Sequence, residues 1–337
     1  MKVGYLHLVG LLLLSGSALA QHTTSGNNVS RVEQDGERNS ASVSQAQESQ
    51  FPTERNSASI QQIGRHNAAT QIQDYWATQN TAQITQTGDF NVAEQRQTTR
   101  AENNTASISQ IGRANAAVQW QAHNVSDNTT SIEQAGSHNE AHQRQNEVSR
   151  STAAITQYGA NNFSKQSQSN LGIDNEAYIM QDGTDNVAEQ TQYRSGNYAS
   201  IIQLGSLNVA RQEQYQVTNY ANILQIGFGN IHTQDQNSRS KDNRATAVAE
   251  GNLNYGFQSQ VSTGNESEMY QYGDGNYATS VQSGHAWWLD GYHRNSTIQI
   301  GDSNIAETTQ IGNSGVGHVS TIMQQGNMNV TTVNQSE

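Results

Sequence analysis

The chain has no cysteine among its 337 residues and only one proline. Without cysteine there is no disulfide, no thiol nucleophile and no zinc-thiolate site, so something else must hold the fold together. Charged residues make up only 14% and hydrophobic ones 33%, which fits neither an ordinary globular domain nor highly charged disorder. Long apolar runs are missing as well. The run from Val9 to Leu14 is far short of the roughly 20 residues that cross a bilayer, so membrane insertion is not expected. With Lys2 before it and Ala18-Leu19-Ala20 after it, residues 1–20 read as a secretory signal peptide cleaved before Gln21. A basic surface is absent too: the net charge of −12 becomes −13 when Lys2 leaves with the signal (−12 − 1). That acidity argues against nucleic acid as a partner and predicts self-repulsion that slows premature association. The ten histidines are dispersed, and neither HExxH nor the calcium-binding G-G-x-G-x-D nonapeptide occurs. We therefore expect no metal, no cofactor, no catalytic residue and no enzyme activity.

Asn, Gln, Ser, Thr and Gly fill the chain instead, and they fill it in register. The phrase N-x-A-x-I-x-Q-x-G-x-x-N-x-A-x-Q-x-Q recurs thirteen times. Its clearest copies place a repeat-core ladder at Asn56, Gln62, Gly64, Asn67 and Gln73, at Asn80, Gln86, Gly88, Asn91 and Gln97, and at Asn104, Gln110, Gly112, Asn115 and Gln121. The two half-phrases start eleven residues apart in every copy, while the distance to the next copy varies from 11 to 17. A fixed inner spacing with a variable outer one predicts one tight turn and one tolerant loop per repeat. Pro52, the only proline, falls in the first long gap, where no ladder bond is lost.

Within each half-phrase the recurring residues sit at every second position, the period of a strand with one buried face. Gly stands second in the four-residue turn of all thirteen copies, as in Ile63-Gly64-Arg65-His66, and a position that takes only Gly needs positive φ or close backbone approach. Hairpins would have no use for near-identical neighbours. Strand-turn-strand arcs stacked in parallel would, because identical side chains then align in columns. The predicted fold is therefore all-β: a cross-β solenoid of about 13 repeats with two parallel in-register sheets, about 60 Å long at ~4.8 Å per coil. Residues 21–27 form a short N-terminal segment, 28–335 the solenoid and 336–337 a tail. Ala and Ile columns such as Ala58, Ala82, Ala106 and Ile60, Ile84, Ile108 are expected to fill a thin apolar centre. Flanking Asn and Gln columns are expected to bond to their copies above and below, since a buried amide without a partner costs roughly 1–3 kcal/mol. With six residues between Gln21 and Asn28 and two after Gln335, neither end is expected to carry a cap. Bare ends are satisfied by further copies in a head-to-tail contact that does not close.

The spacing Q-x-G-x-x-N-x-A-x3-Q, which stands as Gln62, Gly64, Asn67, Ala69, Gln73 and again as Gln86, Gly88, Asn91, Ala93, Gln97, resembles the repeat of the curlin family, the secreted subunits of bacterial curli fibres. The resemblance covers about residues 28 to 335. The leading Ser of that family is Asn in ten of thirteen copies here, Ser only at Ser151, and His at His293 and His318. What the family implies is an extracellular functional amyloid, exported through the periplasm and the outer membrane by curli-type machinery and started by a nucleator subunit. It would polymerise with itself at the cell surface in biofilm and adhesion. The last repeat has no Lys or Arg, which leans toward a bulk subunit over a nucleator.

Outward columns carry what specificity there is. In the later repeats one column reads Met180, Ile202, Leu224, Val248, Tyr270, Ile298 and Met323, an apolar stripe expected to make lateral contacts between fibres or with a surface. Arg96, Trp120 and Arg144 share another column and predict a cation–π sandwich, and Glu189 and Arg211 predict an exposed ion pair of little weight. Asp274-Gly275 and Asp302 read as gatekeepers in the turns, and Trp287 and Trp288 as loop aromatics open to a partner. A competing reading is a monomeric solenoid whose hydroxyl column, Ser57, Thr81, Thr105, Thr129 and Thr152, binds ice or glycans.

Overall fold

Residues 19–25, 27–45, 54–237, 241–284, 292–312 and 317–336 are described by the computed structural model; the expected signal core, Pro52, Trp287 and Trp288 lie outside them. The chain divides into two compact units, Met1–Ile173 and Asp174–Glu337. Each is a β-solenoid of strand-turn-strand coils, with no helix among the described residues.

In the first unit the first arms are Asn28–Glu37, Ser57–Arg65, Thr81–Asp89, Thr105–Arg113, Thr129–Ser137 and Thr152–Ala160. They pair in parallel, each with the next, and the register sets Ile60 on Ile84 on Ile108 and Gln62 on Gln86 on Gln110. The second arms, from Ser40–Ser44 to Phe163–Ser169, pair the same way. In the second unit seven first arms run from Glu176–Thr184 to Val319–Gln325, and seven second arms from Val187–Tyr193 to Val330–Ser336. Burial alternates along almost every arm, as the period-two pattern requires.

Two features depart from the expectations. The connection between coils is not merely a tolerant loop in the first unit. Ala101–Glu102, Val125–Ser126, Val148–Ser149 and Gly172–Ile173 form a third parallel ladder, and Ala101, Val125 and Val148 pack as a fully buried cluster. These coils therefore have a short third side, which the leading asparagines secure: Asn80 Nδ2 donates to the Ala101 carbonyl at 2.7 Å and Asn104 Nδ2 to that of Val125 at 3.1 Å. Nor is the N-terminal end bare. Leu19–Ser25 forms an antiparallel strand on Asn28–Glu37, from Ser25 opposite Asn28 to Leu19 opposite Gln34. A single strand covers the edge of the first coil. Five of its seven residues lie beyond the expected cleavage point.

The tight turns contain a device the sequence reading missed. Besides the Gly at the second position, the fourth turn residue also lies in the left-handed region whatever its type, with φ of 56° at His66, 60° at Phe90 and 54° at Ala114. Its N–H donates to a carbonyl of the coil before, Phe90 to Arg65 and Ala114 to Asp89, both at 2.9 Å. That bond offsets the strain a non-glycine residue bears there. The signal was present at Gly229 and Gly275, where this position is glycine.

Candidate functional site

The only extended polar system in the described interior is the set of amide columns. All twelve Asn and Gln ladder residues from Asn56 to Gln121 named above are buried to 1% exposure or less. In the Gln column of the first arms, each Nε2 donates to the Oε1 of the next coil: Gln62 to Gln86, Gln86 to Gln110 and Gln110 to Gln134, all at 2.8 Å. The last column of the second arms does the same, Gln73 to Gln97 at 2.8 Å and Gln97 to Gln121 at 2.9 Å.

Each amide NH₂ has a second hydrogen, and the structure uses it to join the sheets. Gln86 Nε2 also donates to the Ala68 carbonyl and Gln110 Nε2 to that of Val92, each at 3.0 Å on the facing arm. From the other side Gln95 Nε2 reaches the Gln83 carbonyl at 2.9 Å. Glutamine is thus the residue that stitches coil to coil and arm to arm with one group, which explains its recurrence better than the ladder alone. Asparagine closes the corners. Asn91 shows the pattern: its N–H and Nδ2 both donate to Asn67 Oδ1, at 3.0 and 3.1 Å, and Nδ2 also donates to the Gly112 carbonyl at 3.0 Å. The glycine column has a steric origin as well as a conformational one. A Cβ built on Gly64, Gly88 or Gly112 would lie 2.1 Å from the carbonyl oxygen of the glycine one coil on.

Where the pattern lapses, the cost is visible. Gln71 has Val43 one coil below, Gln271 has Ala249, and both are left with a buried Oε1 that accepts nothing. Replacing Gln110 with Met keeps the volume but removes the donor to Gln134 and the acceptor of Gln86. The expected loss is about 2 kcal/mol, read as a lower urea midpoint. An unchanged midpoint would show the ladder to be energetically neutral.

Around Ala249 the interior is repacked. Three neighbouring positions lose volume, Ala247 for Ile, Ala249 for Gln and Gly256 for Ala, and His232 and Met269 fill the space. A Cβ on Gly256 would fall 2.2 Å from His232 Nε2 and 2.8 Å from Met269 Sδ. His232 is 1% exposed and Gln225 Nε2 lies 3.4 Å from its Nδ1, while its Nε2, like Gln271 Oε1, has no hydrogen-bond partner among the described residues. The imidazole takes up space that the missing glutamine leaves, without completing the amide column. Burial lowers its pKa to about 4, so it is neutral at pH 7.

The outer columns align as their spacing predicts. Met180, Ile202, Leu224, Val248, Tyr270, Ile298 and Met323 are successive register partners, with Met180 37% and Met323 66% exposed and the rest half-buried. A second exposed stripe, unnoticed in the sequence, runs beside the tight turn on the other sheet through Val209, Ile231, Tyr255, Tyr277, Ile305 and Val330. Tyr255 and Tyr277 stack there, ring centroids 4.9 Å apart. Arg96 lies 5.5 Å over the Trp120 ring, whereas Arg144, its register partner on the other side, does not complete the sandwich. Arg211 pairs with Glu213 on its own strand, so Glu189, one coil away, adds only charge attraction. The hydroxyl column from Ser57 to Thr152 is in register. Asp274 and Asp302 are structural: their Oδ1 atoms accept the N–H of Asn252 at 2.8 Å and of Asp274 at 2.9 Å.

No group of His, Cys, Asp or Glu able to hold a metal occurs among the described residues, nor does a helix long and apolar enough to cross a membrane. Neither a protein-family model nor a curated protein sequence matches the chain.

Proposed function

We propose that the protein is a structural subunit of extracellular, curli-like amyloid fibres, exported unfolded and assembled head to tail by templated strand addition. The observation that carries this reading is the uniformity of the amide columns. In the two columns that run unbroken through all thirteen copies, Asn39 to Asn329 and Gln45 to Gln335, each coil offers the next the same donors and acceptors that it receives, so these columns have no built-in stop. Repeat spacing like that of curlins supports the family placement, and the cysteine-free, acidic composition suits a chain kept unfolded until it reaches an existing end. A nucleator subunit and curli-type export machinery are the partners this role implies, in biofilm and adhesion at the cell surface. The chain acts as a building material, without catalysis.

The test is dilution of denatured chain, residues 21–337, into buffer with and without sonicated seeds, followed by fibre diffraction. Seeds that abolish the lag, with a meridional spacing near ~4.8 Å, are the expected result. A stable β-rich monomer that ignores seeds would overturn the reading and favour the surface-binding solenoid with its hydroxyl column. Lateral contact is assigned to the Met180–Met323 stripe, because an apolar column at this exposure favours association. Replacing Ile202, Leu224 and Val248 together with Thr is expected to reduce bundling in electron micrographs while elongation continues. Bundles as thick as before would remove that role.

A further inference from the structure

The interior hydrogen bonds give each coil a direction. Column glutamines donate toward the C terminus, from Gln34 to Gln62 at 2.6 Å in the first coils and from Gln310 to Gln335 at 2.8 Å in the last. Corner asparagines donate the other way: Asn67 N–H to Asn39 Oδ1 at 3.0 Å, Asn329 N–H to Asn304 Oδ1 at 3.0 Å. The two end coils are left with opposite needs. The first, 28–45, has no coil beneath it among the described residues to donate to Gln34 and Gln45 Oε1. The last, 318–335, has none above among the described residues to accept from Gln324 and Gln335 or to donate to Asn329 Oδ1.

Set in the register that joins neighbouring coils, the last coil of one copy fits under the first coil of another. Gln324 falls under Gln34, Gln335 under Gln45 and Asn329 under Asn39. The irregular interior residues match too. Where the middle coils carry the inner glutamine column, both ends carry valine, Val43 and Val333. The joint therefore places apolar on apolar at the position where an amide would be left bare, as Gln71 is over Val43. Ser320 meets Ser30, and Ile322 meets Val32.

One element stands in the way. The strand Leu19–Ser25 pairs with Asn28–Glu37 on the edge that Val319–Gln325 of another copy would occupy, and five of its register pairs, from Gln21 opposite Val32 to Ser25 opposite Asn28, remain after cleavage before Gln21. Two strands cannot share that edge. We infer that the C-terminal coil 318–335 of one copy seats on the N-terminal coil 28–45 of the next, and that residues 21–25, the part of this strand left after cleavage, are a built-in competitor for this seat, displaced as the joint forms. The inference rests on the fibre-subunit reading above. Antiparallel pairing is slightly the stronger per residue, but the competitor covers one arm only, whereas an arriving coil pairs both arms and completes the amide columns. The exchange is favourable once complete and slow to begin, a local source of lag that protects the chain before it meets an end.

The absence of cysteine makes a clean test available. His22 and Arg31 are register partners, so a His22→Cys/Arg31→Cys variant of residues 21–337 can be oxidised to lock the strand in place. Locked copies could add at most once, at the N-terminal end of a wild-type seed, and would then block it. Seeded elongation is expected to fall by at least about tenfold, equivalent to ~1.4 kcal/mol, and to recover on reduction. Failure of the disulfide to form in the folded monomer, or elongation at the wild-type rate with the disulfide intact, would overturn the competitor role.

A second variant tests the seat itself. A Cβ on Gly326 meets nothing nearer than Asn329 Nδ2 at 3.7 Å within its own chain. In the joint it would face the Gly36 carbonyl, as Gly64 faces that of Gly88 at 2.1 Å. Gly326→Ala is expected to leave a folded monomer that caps wild-type seeds at their C-terminal ends; growth at the wild-type rate would place the joint elsewhere. Wild-type chain that does not extend wild-type seeds would fail the fibre reading itself, a result distinct from both.

Discussion

Gly112→Ala is expected to destabilise the first unit by on the order of 4 kcal/mol, the sum of backbone strain and overpacking. Gly112 has φ of 116°, and its added Cβ would lie 2.1 Å from the Gly136 carbonyl oxygen and 3.0 Å from its carbon. Neither atom can yield without pulling the Thr129–Ser137 arm out of its nine-residue register. The effect is expected as a large fall in the urea midpoint, together with loss of amide-exchange protection in the coils on either side. Gly326→Ala separates the two causes. Its φ of 101° carries the strain without the contact, so it should cost only about 1–2 kcal/mol. Equal losses for the two variants would mean that the close approach of successive turns contributes nothing.

The second large effect is expected from acid. His232 has a pKa near 4 in the fold, against 6.5 when unfolded, because its burial penalises the charged ring. A base whose folded pKa is depressed favours the folded state fully above the unfolded value. As pH falls from 6.5 to 4 the unfolded chain takes up the proton first, and that stability is lost. The difference, 6.5 − 4 = 2.5 pH units, corresponds to about 3 kcal/mol. His293 works in the same direction, its pKa lowered by burial and then by the stacked His318, centroids 5.1 Å apart. Asp235 works in the opposite one, raised by burial and then by Glu213. The informative quantity is therefore the wild-type curve minus that of His232→Ala, in which the other groups cancel. His232→Ala is expected to be less stable at pH 7, since it empties the space that Gly256 and Ala249 leave, but to have a flatter dependence between pH 6.5 and 4. Parallel curves would show that His232 does not titrate with unfolding.

His232 also marks the boundary of what was readable. The coil after it departs from the repeat at three places, Ala247, Ala249 and Gly256, and each departure looks like decay when taken alone. Only the register, which places His232 beside Gly256 and within reach of Met269 on the facing arm, shows one exchange of volume. The third ladder of the first unit was legible in principle, because Ala77, Ala101, Val125 and Val148 each stand three residues before a leading Asn or Ser. One apolar residue per coil is too little periodicity to distinguish from a loop. The antiparallel strand Leu19–Ser25 left no trace in the repeat at all, since it belongs to none.

By itself the sequence determined the coil: arms with every second residue buried, a glycine turn of constant length, parallel pairing in register, and amide columns at the named positions. Those are local and repetitive properties, and a pattern written thirteen times leaves a period-two chain few other ways to bury its amides. Tertiary structure alone decided how the pattern is closed and varied. It assigned the second hydrogen of each glutamine to the facing arm, gave the columns opposed directions, repacked the interior around His232 and covered one edge with a strand of opposite sense. These depend on distances between arms and on which residue lies one coil away, and such distances exist only once the chain has coiled.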